Sequence, residues 1–415
     1  MSHVSAADVV SAPCQAKRLN RGAAFYLLAS ISVSLLASSS VPTPLYAIYQ
    51  AAWGFSPVTL TIIFGAYATA VLSSLLVFGR LSDHVGRRPI LIFATASQAV
   101  IMIAFFLASS AFDLLLARIA QGLVTGAAIA AVGAGMIDLD RSRGTVANAV
   151  APIFGTAIGA AIAGALAQFL PQPTHLVFVL FTAVFVLQFI GVILMDETVS
   201  PKAGAVASLQ PRFTLPAAAR SPMFLAIPVL IAVWALAGLY GGLGPTLIRG
   251  MFGSQSPLLG GMALFVLALS AVIAVLAFQH REARLMMTTG ASALLLGTAV
   301  TVLSLPYHFI AVFFAGSILA GVGFGLGFQG AVRTVMLHTA AHERAGVLSL
   351  IYVVSYLALG TPTVVAGYFL SLHAGILHVA QVFGVFVMAL SAIALLGTAW
   401  GFARERNLID GRQIT

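Results

Sequence analysis

The sequence predicts an all-α polytopic membrane protein, with twelve transmembrane helices in two six-helix bundles related by pseudo-two-fold symmetry. Three observations predict it. The chain of 415 residues is 60% hydrophobic and 7% charged, with a mean hydropathy of +1.05. A water-soluble fold of this size cannot hide that much apolar surface. Uncharged runs of about 20 residues, enough to cross a bilayer core of roughly 30 Å, recur from end to end. The second half of the chain also echoes the first, at an offset near 201 residues.

Twelve spans can be drawn, at 24–50, 57–79, 89–110, 112–137, 145–169, 174–195, 223–249, 257–279, 285–305, 307–336, 345–371 and 375–402. Several exceed 20 residues, which implies tilt or helix continuing past the membrane. The expected organisation is an N-terminal tail (1–22), a first bundle (23–195), a linker (196–222), a second bundle (223–402) and a C-terminal tail (403–415). The linker is the longest polar interval, holds Lys202, Arg212 and Arg220, and is rich in proline. The apolar run after Lys17, Arg18 and Arg21 is too long for the core of a secretory signal, so it reads as an uncleaved first span.

Charge sets the orientation. With the N-terminus inside, 17 of the 20 Lys and Arg fall in cytoplasmic segments. The exterior loops hold only Arg249, while Arg118 and Arg333 lie within spans 4 and 10. This positive-inside bias predicts both termini in the cytoplasm. The net charge of +9 is spread over short loops, so no nucleic-acid partner is expected. Cys14 is the lone cysteine, which excludes an intramolecular disulfide.

The repeat rests on paired landmarks. Pro44 matches Pro245, Pro57 nearly matches Pro257, Gly122 and Gly126 match Gly323 and Gly327, and Arg143 matches Arg344. Six spans followed by six in the same orientation form a parallel repeat, and such repeats create a site at the interface of the halves near the bilayer midplane.

Between spans 2 and 3 lies "GRLSDHVGRRP", Gly79 to Pro89, which carries Arg80, Asp83, Arg87 and Arg88 between long uncharged flanks. Gly79 and Gly86 permit a tight reversal between helices. Asp83 is favourable near a helix N-terminus, and each arginine can bond a carboxylate in a bidentate fork. A merely topogenic loop would explain the arginines but not the spacing of Asp83 and the two glycines.

At this turn the chain resembles the major facilitator superfamily of secondary transporters. That family's Gly-x-Leu-x-Asp-x-x-Gly-Arg-Arg/Lys pattern is matched by Gly79, Leu81, Asp83, Gly86, Arg87 and Arg88. Its Arg-x-x-Gln-Gly pattern in span 4 is matched by Arg118, Gln121 and Gly122, with Gly126 beyond. The resemblance implies a conformational latch: Asp83 against the N-terminus of span 11, and Arg87 against an acid ending span 4, where Asp138 stands. The corresponding turn of the second half, "FQHREARL", lacks the aspartate and the glycines, so the latch is expected on one side only.

Candidate pathway residues follow from polarity within spans. Arg118 lies about two turns inside span 4, where an arginine needs a wet cavity or a partner; the competing reading is snorkelling to the interface. Gln121 and Thr125 continue its face, and Gly122 and Gly126 allow close packing beside it. Asp113 reads as a helix-dipole partner. Tyr46 in span 1, Asn148 in span 5, Gln329 in span 10, and Tyr352 and Tyr356 in span 11 are further candidates. Each competes with ordinary interhelical bonding. Trp234 and Tyr240 read as packing residues. Efflux-type members carry Gly-x-x-x-Gly-Pro-x-x-Gly-Gly in span 5; here Gly155 and Gly159 remain, but Ala151, Thr156 and Ala160 replace the first glycine, the proline and the last glycine. Gly155 and Gly159 are expected at a helix contact.

The surrounding context, "VPTPLYAIYQ" and "AGVLSLIYVVSY", is similar to bacterial drug and metabolite exporters. The resemblance therefore implies a multi-pass protein of the bacterial inner membrane, functional as a monomer, exporting small amphiphilic compounds by proton antiport with alternating access. The alternatives are proton-coupled uptake of a small organic acid and a non-transporting receptor. None of the eleven acids lies in the middle third of a span, which with Arg118 favours neutral or anionic substrates. The spans hold no paired acids, metal-ligand set or Ser–His pair, so no enzyme activity, metal or cofactor is expected. A proton gradient is the expected energy source.

Overall fold

The computed structural model describes residues 18–412, and side chains as far as Ala399. Cys14 and Lys17 lie outside the described residues. Among the described residues there is no strand; the helices are α1 (Arg21–Ser40), α2 (Pro42–Trp53), α3 (Pro57–Phe78), α4 (Ser82–Val85), α5 (Arg87–Leu107), α6 (Ala111–Leu139), α7 (Arg141–Phe169), α8 (Leu176–Ile193), α9 (Ala205–Ser208), α10 (Ala217–Phe252), α11 (Pro257–Ala277), α12 (Ala283–Ser304), α13 (Ile310–Leu337), α14 (Arg344–Ser371) and α15 (Ile376–Arg412). With α1 and α2 counted as one, twelve are long and apolar enough to cross a membrane. The chain is a multi-pass membrane protein.

Local chemistry explains the helix ends. Asn20 caps α1 by accepting the Ala23 N–H at 2.8 Å. The first span breaks at Val41, just before Pro42 and Pro44 remove two donors from the ladder. Ser56 caps α3 with Pro57 at its first position, and Ser256 with Pro257 does the same for α11. That pair of matching starts is the repeat seen as geometry. Ser110 caps α6, and Asp113 returns the bond to the Ser109 N–H at 3.0 Å. Asp113 thus belongs to a helix start rather than to Arg118.

Two boundaries differ from the sequence reading. The linker is shorter than 196–222, because α10 begins at Ala217, where three alanines of high helix propensity precede the apolar run. Segment 403–415 is not simply a tail, since α15 continues to Arg412.

Helices α1, α3, α5, α6, α7 and α8 pack on one another, as do α10 to α15. The two sets meet chiefly through α3 against α14 and α7 against α11. An even number of spans puts both ends on one face, which also carries Arg80, Arg87, Arg88, Arg281, Arg284 and Arg344. On the opposite face the sets are bonded together. The Thr43 hydroxyl donates to the Gly241 carbonyl at 2.9 Å, the Val58 N–H to the Ser371 hydroxyl at 2.9 Å, and the Ser256 hydroxyl to the Gln168 side-chain oxygen at 2.8 Å. On the arginine-rich face the linker lies across both sets: the Lys202 N–H donates to the His84 carbonyl at 3.0 Å, and Thr214 packs against Gly346.

Small residues set the closest approaches. A Cβ at Gly122 or Gly126 would strike the α3 backbone at Tyr67 and Val71, and one at Gly155 or Gly159 the carbonyls of Val33 or Ala37 on α1. The residues that do the work of Gly122 and Gly126 in the second half are Gly321 and Gly325, which press on Leu267 and Ala271 of α11. The sequence offset singled out Gly323 and Gly327 instead. Those face α12 and α10, because two residues correspond to roughly 200° around a helix.

Candidate functional site

The turn that follows α3 is a hub of helix caps. Gly86 stands at φ +107°, a conformation other residues rarely adopt, and a side chain there would strike Glu197. Glu197, at the end of the first six spans, accepts the N–H groups of Arg87 at 2.8 Å and Arg88 at 3.0 Å, so it caps α5 across 110 residues. Arg88 in turn donates to the Val192 and Ile193 carbonyls at the end of α8, at 3.3 and 2.5 Å. Arg21 does the same for α6, bonding the Asp138 and Leu139 carbonyls at 3.3 and 3.1 Å.

Arg87 is buried at the centre of this hub. It pairs with Asp83, with Asp138 at 3.3 Å, and with the Ser82 hydroxyl at 2.6 Å. The structure therefore brings Asp83, Gly86, Arg87, Arg88 and Asp138 together, with Gly79 at the end of α3. Among the described residues Asp83 makes no bond to the N-terminus of α14, whose first turn is met by Thr214 instead. Beside the hub, Asp140 caps α7; the Arg143 N–H donated to it at 3.0 Å holds its carboxyl below the usual carboxylate range.

Sequence reasoning missed Glu197, whose role depends on contacts far apart in the chain. Glu197→Gln should lower thermal stability by about 1 kcal/mol, the usual worth of a cap carboxylate. Heat unfolding of the purified protein checks it, with Lys202→Ala, at a nearby exposed position, as a control for general loop damage.

Deeper in the membrane, Arg118 is buried at 1% exposure. It does not snorkel. One guanidinium nitrogen donates to the Ser39 carbonyl at 2.7 Å and to the Gln121 side-chain oxygen at 2.8 Å. The plane stands 4.1 Å from the Tyr67 ring centroid, a cation–π contact worth about 2 kcal/mol when desolvated. Its Nε has no partner, and no carboxylate shares the site among the described residues. Thr125, on the same face, accepts from the Gln98 amide at 3.0 Å.

Aromatic side chains extend this cluster across the two sets of helices. Tyr46 and Tyr356 lie within electrostatic reach of Tyr67. The Trp234 ring stands 5.4 Å from Tyr356 and 5.5 Å from Phe328. The Tyr46 hydroxyl and the Trp234 N–H are buried without partners. Tyr240 has a different role, bonding Ser317 at 2.7 Å within the second set. Of the other sequence candidates, Tyr352 sits one turn from Tyr356, Gln329 follows Phe328 on α13, and Asn148 lies apart, its amide against Gly133 near the start of α7. Tyr67, Gln98 and Trp234 carry no pattern in an apolar helix that would have marked them as partners.

Comparisons with known proteins agree with this geometry. No curated protein matches the sequence. Among solved structures, the nucleoside transporter NupG superposes with a TM-score of 0.68 at 11% identity, covering 91% of this chain and 99% of that one. A bacterial homologue of the human lysosomal transporter Spinster, in an inward-facing and unoccupied conformation, gives 0.71 at 13% identity, covering 91% and 97%. These likenesses establish the fold. The family model described as the Major Facilitator Superfamily matches residues 27–361, which include both the Asp83 turn and Arg118. The chain belongs to the Major Facilitator Superfamily of membrane transporters.

Proposed function

We propose that this protein is a secondary transporter that exports small, largely apolar neutral or anionic compounds by proton antiport, with the arginine-rich face in the cytoplasm. The observation that carries the reading is Arg118, a buried cation with no carboxylate partner among the described residues, set among aromatic rings contributed by both sets of helices. A buried cation of this kind recognises an electron-rich or anionic group, and the unpartnered Tyr46 hydroxyl near it can add a hydrogen bond. A lipophilic cation would instead meet repulsion from Arg118, with no carboxylate at the site among the described residues to offset it. Two domains, α1 to α8 and α10 to α15, rock about this cluster, and the bonds of Thr43, Val58 and Ser256 close one side while the other is open. The monomer suffices.

The same arginine also suits uptake of a small organic acid, which is the second reading. Proton flux in everted vesicles separates them. After energisation, anionic and neutral amphiphiles should release protons from the lumen, whereas lipophilic cations should not. Release by cations alone would overturn the substrate class; release by none would favour uptake.

The hub acts as the latch of the opposite state, in which Asp83 leaves Arg87 to meet the N-terminus of α14. Asp83 is half-exposed, so its contact is worth about 1 kcal/mol or less. Asp83→Asn should accordingly slow transport a few-fold with expression unchanged, measured in the same vesicles. Wild-type rates would remove the latch from the mechanism.

A further inference from the structure

The turn of the second half that lacks the family motif borders a cavity of about 1080 Å³ on the arginine-rich face. Its walls come from the starts of α10, α12 and α14, the end of α13, and Thr398. Four arginines line it, Arg281, Arg284, Arg333 and Arg344, with His338 beside them and Glu282 as the one acid among the described lining residues. Glu343 adjoins Arg344 in sequence.

The two halves treat their arginines differently. In the first half and its linker, Arg18, Arg87 and Arg143 are matched by Asp196, by Asp83 and Asp138, and by Asp140. In the second half Arg333 is steered by a carbonyl instead. The Gln279 carbonyl accepts from Arg333 at 2.9 Å, with the Met286 sulfur at 3.4 Å. Carbonyl bonds orient a guanidinium without neutralising it. The remaining N–H groups of Arg333, together with Arg281 and Arg344, form a positively charged lining.

We propose that this cavity binds a phosphate-bearing anion, supplied as the headgroup of an anionic lipid or as a soluble phosphate ester. Guanidinium forks match phosphate oxygens in geometry and charge, and basic pockets between spanning helices on the cytoplasmic side suit phosphorylated headgroups. The wall also carries Leu225, Met287, Met336 and Leu337, the last 76% exposed, which gives an acyl chain an apolar path from the headgroup to the bilayer. The volume exceeds what one phosphate needs and leaves room for a glycerol backbone.

Thermal unfolding of the purified full-length protein tests this, with vesicles of phosphatidylglycerol, vesicles of phosphatidylcholine, and soluble glycerol phosphate as separate arms. The midpoint should rise by about 3 °C or more with the anionic lipid, saturably, and not with the neutral one. The Arg333→Gln/Arg344→Gln double variant should lose that rise, while Arg141→Gln/Arg143→Gln, an equal loss of charge on the first half, should keep it. If the loss of the Gln279 contact unfolds the first variant, Arg281→Gln/Arg344→Gln serves in its place. A rise with glycerol phosphate that the variant loses supports the site with a soluble ligand. Equal rises with both lipids, an unchanged rise in the variants, or no rise in any arm would overturn the proposal.

Discussion

Arg118→Gln should lower transport by about thirtyfold or more while leaving the folded yield close to that of the natural protein. The two halves of that expectation have separate causes. Losing a charge-assisted contact to a buried ligand group costs about 2–5 kcal/mol, and about 1.4 kcal/mol is tenfold in affinity. Folding suffers less, because removing a buried cation also removes its desolvation cost. Glutamine can still donate toward the Ser39 carbonyl, so that acceptor keeps a partner. Arg118→Lys retains the charge without the planar guanidinium that stacks on Tyr67 while it donates to Ser39 and Gln121, so it should transport weakly rather than not at all. Vesicle flux and size-exclusion profiles of the three proteins check both parts. Full transport by Arg118→Gln would reduce the residue to a packing role.

Gly323→Leu should damage folding more than any change at the charged hub. Helices α12 and α13 meet along glycines spaced seven apart: Gly290 and Gly297 on one, and Gly316, Gly323 and Gly330 on the other. A Cβ at Gly323 would strike the Leu294 backbone, which cannot rotate aside as a side chain could. The helices would have to separate along the seam, and overpacking of this kind costs about 3 kcal/mol or more. The expected result is loss of monodisperse protein after extraction. Gly375→Ala, where nothing stands within 4 Å, should behave as the natural protein and calibrates the measurement.

Much of this was legible because the membrane leaves few alternatives: apolar length gives the spans, and a motif at a turn gives the Asp83–Arg87–Asp138 set. Arg118 was visible because an arginine two turns into an apolar helix stands out. Its partners were not. The Ser39 carbonyl belongs to every residue's backbone, and Tyr67 looks like any other aromatic on an apolar helix. The α12–α13 seam was hidden for a related reason. In a chain with 39 glycines, which glycine faces which helix depends on rotation about the axis, and an error of two residues turns the face away. Glu197 needed the fold itself, since its acceptor role exists only when the end of α8 comes beside the start of α5.

In the proposed mechanism the two sets of helices rock about the Arg118 cluster, opening one face as the other closes. Spin-label distances measure this directly, in protein whose native cysteine is removed as Cys14→Ser. One pair, Ala52→Cys with Gln255→Cys, spans the opposite face, and another, Ser142→Cys with Ala340→Cys, spans the arginine-rich face. In proteoliposomes, across a range of pH and with the amphiphile panel, two populations are expected at each face, changing in opposite directions. A single fixed distance at both faces under every condition, or widening of both together, would contradict alternating access in this protein.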